Sequence, residues 1–209
     1  MPVREKKPLL LILVRHGETP WTLDRRFQGH TDTQLTANGR KQARAAAKQL
    51  RALKPDLLYC SALWRARETA QFAAAACGLK IKADARLNEL GFGRWEGKTA
   101  GQLTAEGDRI YRRWCRGLRT NPPGGETLKH FEARIVSFIK DLRRSKAKRI
   151  VIVSHGGPIK LIIFRLLGLP FKSLWSLRLD PASVTQVTVF PEFSQLMKLN
   201  DTAHLDKAS

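Results

Sequence analysis

The fold class of this chain is decided by an apolar stretch that runs directly into polar residues: Leu9-Leu10-Leu11-Ile12-Leu13-Val14-Arg15-His16-Gly17. The apolar part has the length and the side chains of a buried β-strand. It is far shorter than the roughly 20 apolar residues that a membrane-spanning helix requires. The stretch therefore predicts a first strand over Leu10 to Val14, followed by a loop that begins with a cation and a titratable imidazole.

Short apolar runs of this kind alternate with longer segments of helical period along the chain. Further strands are predicted at Leu57 to Cys60 and at Ile150 to Val153, and helices at Leu35 to Leu53 and from Ser61 to about Cys77. This alternation is typical of βαβ units around a parallel sheet. The predicted fold class is therefore α/β, a three-layer fold with a mostly parallel central sheet flanked by helices.

Individual residues predict where the helices begin and end. We expect Thr36 to cap the first helix and Ser61 the second, because hydroxyl groups accept hydrogen bonds from the free N–H groups of a first turn. Gly78 suits the left-handed position that ends a helix. The helix after the third strand is predicted to open with Pro158, whose backbone is already set for the first turn.

One globular domain over residues 1–209 is expected, because the length and the 43% apolar content can supply one sizeable core. Residues 91–126 are richer in Gly, Arg and Trp, which predicts a cap-like excursion over the sheet and not a second domain. Val184 to Phe190 and Leu196 to Leu199 alternate in polarity around a turn, so we expect an antiparallel pair at the sheet edge.

The charge of the chain is strongly basic. It has 38 Lys and Arg residues against 18 Asp and Glu residues, a formal charge of +20 that attracts anions and makes nucleic acid an alternative partner. The basic residues are nevertheless scattered, and some recur at helical spacing as on a solvated helix face: Arg40, Arg44, Lys48 and Arg51. We expect no nucleic-acid partner, and an anion- or RNA-binding module remains a hypothesis from a different functional class.

Other features predict a cytoplasmic protein with no membrane partner. The basic segment Met1 to Pro8 is not followed by an apolar stretch with a small-residue cleavage site, as a signal peptide would be. Cys60, Cys77 and Cys115 match no zinc or redox spacing and are expected to be reduced. The sequence leaves the oligomeric state open.

Phosphate-binding residue types follow each of the three predicted parallel strands. Arg15-His16-Gly17 follows the first strand, Ser61 to Arg65 the second, and His155-Gly156-Gly157 the third. The carboxyl ends of parallel strands lie at one edge of the sheet, and open α/β sheets bind ligands at that edge. The second and third groups also lie at helix N-termini, which favour anions. Two histidines and two arginines around one anion predict phosphate chemistry, with a structural ion pair at Arg15 and an exposed helix charge at Arg65 as alternatives.

The sequence contains no recognisable metal-binding motif. It has no Walker-type loop, no HExxH motif and no carboxylate cluster with the spacing of a magnesium site. We therefore expect neither a metal nor a cofactor, with arginine and histidine neutralising the phosphoryl oxygens. Arg65 suits this task because a planar guanidinium group grips two oxygens at once.

One acidic residue is a candidate proton donor. Glu89 lies in Leu87-Asn88-Glu89-Leu90-Gly91-Phe92-Gly93, where apolar neighbours favour a partly desolvated carboxyl group that can donate a proton. An ordinary acidic turn residue is the alternative. His30, His130 and His204 are interpreted as structural, because they lack the positions of His16 and His155 after predicted strands.

Several motifs occur in a fixed order along nearly the whole chain. The first is Leu13-Val14-Arg15-His16-Gly17-Glu18-Thr19, and the others are Gln28 to Asp32, Leu35 to Gly39, Ser61 to Arg65 with Thr69-Ala70, Glu89 with Gly93 to Gly97, and Ser154 to Gly157. This ordered set resembles the histidine phosphatase superfamily, the phosphoglycerate mutase-like proteins. Within it the chain is most similar to the small phosphatases, such as α-ribazole phosphatase and broad-specificity acid phosphatase.

The resemblance implies a role for each residue of the site. The catalytic residues would be His16 as nucleophile, Glu89 as proton donor, and Arg15, Arg65 and His155 as ligands of the phosphoryl oxygens. The substrate-binding residues would be Gly17, Thr22, Gln28 and Gly156. Thr22 departs from the family pattern, in which an asparagine usually follows the residue equivalent to Trp21, and its shorter side chain puts this phosphate contact in question.

The implied activity is that of a metal-independent phosphomonoesterase, which hydrolyses a small phosphorylated metabolite, with α-ribazole phosphate as one candidate, through a phosphohistidine intermediate. A cofactor-dependent phosphoglycerate mutase is the alternative, which the absence of a longer insertion after the acid disfavours. Substrate specificity is expected from apolar walls and anion contacts in residues 91–126, with packing or a surface position as the equal alternative for each residue: Trp95, Tyr111, Trp114, Arg109, Arg112, Arg113 and Arg116.

Overall fold

The computed structural model describes residues 8–205 and is built around one β-sheet. The strands are β1 (Leu9–Arg15), β2 (Leu57–Cys60), β3 (Ile81–Ala83), β4 (Arg149–Ser154), β5 (Val184–Val189) and β6 (Ser194–Asp201). Their spatial order is β3-β2-β4-β1-β5-β6. Strands β1 to β4 are parallel, whereas β5 is antiparallel to β1 and β6 to β5. The predicted α/β class with a mostly parallel sheet is confirmed.

Helices flank this sheet. They are α1 (Pro20–Leu23), α2 (Ala37–Ala52), α3 (Trp64–Cys77), α4 (Ala100–Ala105), α5 (Arg109–Cys115), α6 (Leu128–Arg144) and α7 (Gly156–Leu167), with short 3₁₀ helices at Ala85–Leu87, Gly93–Trp95 and Phe171–Ser176. Within residues 8–205, no helix combines the length and the apolar character needed to cross a membrane.

The central strand β1 is buried on both faces, as a strand in the middle of a parallel sheet must be. Leu11 and Leu13 belong to the apolar cluster that includes the inner faces of α6 and α7. Ile12 and Val14 point the opposite way, into the cluster formed with α2 and α3. The two clusters give the fold its three layers.

The three predicted parallel strands are confirmed to within one residue at each end, and the antiparallel pair β5 and β6 is confirmed with β6 at the sheet edge. Strand β3 was not predicted. It has only three residues, of which Lys82 and Ala83 are exposed, so it leaves no apolar run in the sequence.

The predicted helix ends are partly confirmed. Thr36 caps α2 by accepting a hydrogen bond from the Gly39 N–H, and Gly78 ends α3 with a φ of 67°. The prediction for Ser61 was wrong, because α3 begins at Trp64, whose N–H donates to the Asp32 carboxylate at 2.8–2.9 Å. The helix after β4 begins at Gly156, so Pro158 lies in its first turn but does not open it.

Residues 91–126 contain α4 and α5, and Phe92 and Trp114 of this segment line a cavity described below. An aromatic cluster anchors this segment, with Trp95 and Trp114 edge to face at 5.5 Å between ring centroids. The Trp95 indole N–H also donates to Asp108 Oδ2 at 2.9 Å. Trp95 and Tyr111 belong to the same apolar cluster as α6 and α7, so the excursion shares the main core.

Candidate active site

A cavity of about 200 Å³ lies at the carboxyl edge of the parallel strands. Its wall includes the imidazole of His16, the carboxylate of Glu89 and four cationic side chains: Arg15, Arg26, Arg65 and Lys160. Most of the other lining residues are apolar. The cavity therefore combines a strongly cationic region with hydrophobic walls, which suits a phosphorylated small molecule.

His16, immediately after β1, is held in one tautomer. Its ring Nδ1 lies 2.8 Å from the carbonyl oxygen of Gly17. Because a carbonyl oxygen can only accept, Nδ1 carries the proton and Nε2 keeps its lone pair. Burial, reinforced by the charges of Arg65 and Arg15, holds the pKa of His16 well below its usual value of 6.5. The neutral imidazole is thus prepared to act as a nucleophile.

His155 lies beside His16, with 5.1 Å between the ring centroids. Asn88 Oδ1 accepts from the Ala62 N–H and from the Ser61 hydroxyl, each at 2.9 Å. Ser61 therefore accepts from Nε2–H of His155, 2.8 Å away. Nδ1 of His155 is buried and makes no hydrogen bond within the protein. Burial, reinforced by the charge of Arg65, holds the pKa of His155 well below its usual value, so Nδ1 carries a lone pair and can donate to a phosphoryl oxygen only when a bound anion keeps the ring protonated.

Two arginines on the cavity wall are fixed by backbone carbonyls. Arg15 Nη1 donates to Leu179 O at 2.6 Å, and Arg65 donates to Thr31 O at 3.0 Å and Gly29 O at 2.8 Å. Each Nε atom is buried without a hydrogen-bond partner in the protein. Burial lowers the pKa of Arg65 to about 10, and it lowers the pKa of Arg15 as well. Both remain cationic at neutral pH, with donor capacity left for an anion.

Glu89 is placed against the first turn of α7. The Gly157 N–H lies 3.2 Å from Oε1 and 3.3 Å from Oε2 of this carboxylate, and the Leu90 N–H donates to Oε1 at 2.9 Å. A Cβ atom on residue 157 would lie only 2.3 Å from Oε1 of Glu89. The glycine is therefore required for the carboxylate to occupy this part of the cavity.

Arg134 of α6 holds the loop that carries Glu89 through hydrogen bonds to its backbone. This residue was not predicted from the sequence. Its guanidinium group donates to the carbonyl oxygens of Arg86, Asn88 and Glu89 at 2.6, 2.6 and 2.9 Å. Two further bonds of 2.8 Å join it to the Glu126 carboxylate. The contacts are tertiary, so no local motif in the sequence marks them. Arg134 is a positioning residue for Glu89.

If Glu89 is the proton donor that the family resemblance implies, Arg134→Met should lower kcat on an alkyl phosphate by roughly 10- to 100-fold, because a small misplacement of a catalytic group is costly. Hydrolysis of p-nitrophenyl phosphate should fall less, since its leaving group needs little protonation. Arg134→Lys should recover only part of the loss, because an ammonium group cannot bond three carbonyls and a carboxylate in one plane. The measurement is the ratio of the two rates.

Arg119→Met is the matched control for this prediction. It removes another arginine that bonds a glutamate, since Arg119 donates to Glu132 Oε2 of α6 at 2.7 Å, but this arginine does not line the cavity. The ratio of rates should not move in this variant. An equal loss on both esters in Arg134→Met would show that Arg134 only stabilises the fold.

The predicted substrate-binding residues fall into two sets. Gln28 and Gly156 line the cavity, and Gln28 Oε1 accepts from the Thr33 hydroxyl at 3.0 Å, which leaves its amide N–H groups as donors. Gly17 does not line the cavity, and its N–H donates to Thr69 Oγ1 at 3.0 Å. The Thr22 hydroxyl bonds the backbone N and O of Thr19, each at 2.8 Å, as a helix cap outside the cavity wall.

The specificity residues expected from the excursion need correction. Trp114 lines the cavity, but Trp95 and Tyr111 are buried in the aromatic core. The four arginines are exposed on α5 or directly after it and do not line the cavity: Arg109, Arg112, Arg113 and Arg116. The short amphipathic helix α5 turns its aromatic side chains inward, and this places its charges in solvent.

Two cations of the cavity wall were not found from the sequence. Arg26 donates to Gly97 O at 2.7 Å and pairs with Asp24 at 3.0 Å. Lys160 lies four residues after Gly156 on α7, and this spacing could have placed it on the same helix face. Among residues 8–205, no group of three or more His, Cys, Asp or Glu side chains is arranged to hold a metal ion.

Comparisons with known proteins show what the whole chain is similar to. Residues 11–202 match the histidine phosphatase superfamily (branch 1). The chain is 34% identical over 195 residues to the adenosylcobalamin/alpha-ribazole phosphatase of Escherichia coli K12, covering 92% of this chain and 96% of that protein. It is 32% identical over 197 residues to phosphoserine phosphatase 1 of Hydrogenobacter thermophilus, covering 93% of each. The solved structure of a mycobacterial glucosyl-3-phosphoglycerate phosphatase has a TM-score of 0.83 and 31% identity, covering 93% of this chain and 99% of that one.

Proposed function

The chain belongs to the histidine phosphatase superfamily and is a phosphatase, and we propose that it hydrolyses a compact phosphomonoester, without a metal ion, through a phosphohistidine at His16. The observation that carries this proposal is the buried, neutral imidazole of His16, whose Nδ1–H is fixed on the Gly17 carbonyl. Nε2 is thereby left as a nucleophile beside two fixed guanidinium groups.

In the first step, the Nε2 lone pair of His16 attacks phosphorus in line with the ester oxygen. The bond from phosphorus to this oxygen breaks, and the protonated carboxyl group of Glu89 gives its proton to the leaving alkoxide. Arg15 and Arg65 hold phosphoryl oxygens, and His155 does so through Nδ1–H when the bound anion keeps its imidazole protonated. The arginine charges are preorganised by the protein, so little reorganisation is needed as the transition state forms.

In the second step, water attacks the phosphorus of the phosphohistidine. The Glu89 carboxylate takes a proton from this water, and the bond from phosphorus to nitrogen breaks. Inorganic phosphate leaves, His16 recovers its Nε2 lone pair, and Glu89 is again protonated. One carboxyl group therefore serves first as acid and then as base.

The size of the cavity favours a small substrate. Its volume of about 200 Å³ is below the roughly 300–1,000 Å³ that is usual for pockets of drug-sized ligands. It fits a phosphoryl group on a short alcohol better than a nucleoside-like ester such as α-ribazole phosphate. The named relatives act on different esters at similar identity, so their substrates do not by themselves decide between these candidates.

Metal independence predicts two inhibition results. Hydrolysis of p-nitrophenyl phosphate should persist in EDTA, because arginine and histidine side chains supply the positive charge. Vanadate, added in assays without chelator because EDTA binds it, should inhibit by mimicking five-coordinate phosphorus. Loss of activity in EDTA that magnesium restores would overturn the metal-free mechanism.

A further inference from the structure

The hydroxyl group of Ser61 decides which nitrogen of His155 carries a proton. Its oxygen accepts from Nε2–H of His155 at 2.8 Å and from the backbone N–H of Leu63 at 3.2 Å. Its own proton goes to Asn88 Oδ1 at 2.9 Å. A serine hydroxyl has one proton and two lone pairs, so all three are used. Ser61 therefore has no proton left to donate to the imidazole.

Asn88 fixes the direction of the Ser61 proton. The backbone N–H of Ala62 donates to the same atom of the Asn88 side chain at 2.9 Å, so this atom is the amide oxygen and not the amide nitrogen. Arg134 holds the Asn88 backbone by donating to its carbonyl oxygen at 2.6 Å. Ser61 is fully buried, so bulk water cannot compete with Asn88 for its proton. Asn88 thus determines the tautomer of His155 through Ser61.

This tautomer has a cost when an anion binds. A neutral His155 has its free lone pair on Nδ1, the buried ring atom that has no hydrogen-bond partner in the protein. In the proposed function, Nδ1 meets an oxygen of the phosphoryl dianion, which also carries only lone pairs. The contact becomes a hydrogen bond when one proton lies between the two atoms. This proton comes from solvent and returns there when inorganic phosphate leaves.

The surroundings of His155 keep its ring neutral before an anion binds. Burial and the positive charges around it hold the pKa of His155 well below its usual value of 6.5. A bound dianion opposes these effects. The charged and titratable groups on the neighbouring elements are Arg65, His16, Arg15, Arg134 and the carboxylate of Glu89 at the Gly157 N–H.

We propose that Asn88, acting through Ser61, makes the active site take up one proton with each phosphoryl dianion that it binds. This inference rests on the proposed function. Asn88 is a positioning residue, because it acts on His155 only through the serine. Without its acceptor oxygen, the Ser61 proton can turn toward Nε2. Neutral His155 can then carry its proton on Nδ1 and donate it to the anion, with no proton taken from solvent.

Binding of sulfate at different pH values tests the proposal. Sulfate is a tetrahedral dianion that does not titrate near neutral pH, so any proton taken up goes to the protein. The Kd for sulfate of the wild-type enzyme should rise between about pH 6.5 and pH 8, and in Asn88→Leu this rise should be smaller by up to about tenfold per pH unit, the effect of one proton. Protons taken up by His16 or Glu89 are common to both proteins and cancel in the comparison.

Two further variants complete the test. Ser61→Ala removes the acceptor of Nε2–H and should lose the same proton uptake as Asn88→Leu, so the test does not depend on the folding of one variant. Asn121→Leu is the matched control and should behave as the wild type. Asn121 Oδ1 also accepts from a backbone N–H, that of Leu128 at 2.9 Å, but Asn121 does not line the cavity.

The protonation state of His155 can be read directly by ¹⁵N NMR of the sulfate complexes. We expect an imidazolium ring in the wild-type enzyme and a neutral ring with its proton on Nδ1 in Asn88→Leu. A neutral ring in the wild-type complex would overturn the proposal. The same pH dependence of Kd in the wild type, Asn88→Leu and Ser61→Ala would also overturn it. Failure of the wild-type enzyme to hydrolyse p-nitrophenyl phosphate would instead contradict the proposed function.

Discussion

An alkaline quench during turnover of the wild-type enzyme is expected to trap one phosphoryl group on Nε2 of His16. Phosphohistidine is stable in base and labile in acid, so treatment of the sample with acid should release the label. His16→Ala should lower kcat on the order of 10⁴- to 10⁶-fold, as removal of a covalent nucleophile does in other enzymes. Rapid quench with ³²P-labelled substrate and peptide mapping provide the measurement.

The stereochemistry at phosphorus gives an independent test of this intermediate. Two successive in-line displacements invert the configuration twice, so a phosphorothioate ester made chiral by an oxygen isotope and hydrolysed in isotopically labelled water should give inorganic thiophosphate with overall retention. Overall inversion would indicate direct attack by water. The rings of His16 and His155 lie only 5.1 Å apart, so the labelled residue must be identified by peptide mapping. A label on His155 would show that the nucleophile had been assigned to the wrong imidazole.

The sheet and the central residues of the site could be predicted because each leaves a local pattern in the sequence. Leu9 to Val14 of β1 are all apolar, as expected for a strand that is buried on both faces of a sheet. Arg15, His16 and His155 directly follow predicted parallel strands, whose carboxyl ends meet at one edge. Their convergence follows from this topology without any knowledge of distances.

The remaining features depend on tertiary contacts that no local pattern records. Ser61 has a good capping side chain, but its hydroxyl lies between Asn88 and His155, and Asp32 from a distant loop meets the first turn of α3. In the sequence, Trp95 and Trp114 are equally good candidates for an apolar cavity wall. Both are buried in the aromatic cluster, and only tertiary packing decides that Trp114 also lines the cavity whereas Trp95 does not.

A second large loss of rate is expected for Glu89→Gln. Its size should depend on the leaving group of the ester. An alkyl phosphate expels a poor leaving group that needs a proton, whereas p-nitrophenolate leaves with little help. The rate of the phosphorylation burst should therefore fall by about 10²- to 10⁴-fold for the alkyl ester, the range of general acid catalysis, and much less for p-nitrophenyl phosphate. The glutamine retains an oxygen that can accept from the Gly157 N–H, so the shape of the site is preserved.

Burst rates are required because Glu89 also activates water in the second step, and steady-state rates would fall for both esters if that step became limiting. Equal burst losses for the two esters would mean that Glu89 is not the acid. The neighbouring carboxylates offer no ready substitute. Burial raises the pKa of Glu96, but hydrogen bonds from the Thr31 hydroxyl and from the N–H groups of His30, Thr31 and Phe92 outweigh it and hold the pKa below its usual value. Glu18 bonds the Thr36 hydroxyl at 2.6 Å, outside the cavity wall. The proton would then have to come from solvent, and the alkyl ester should show a solvent isotope effect that Glu89→Gln leaves unchanged.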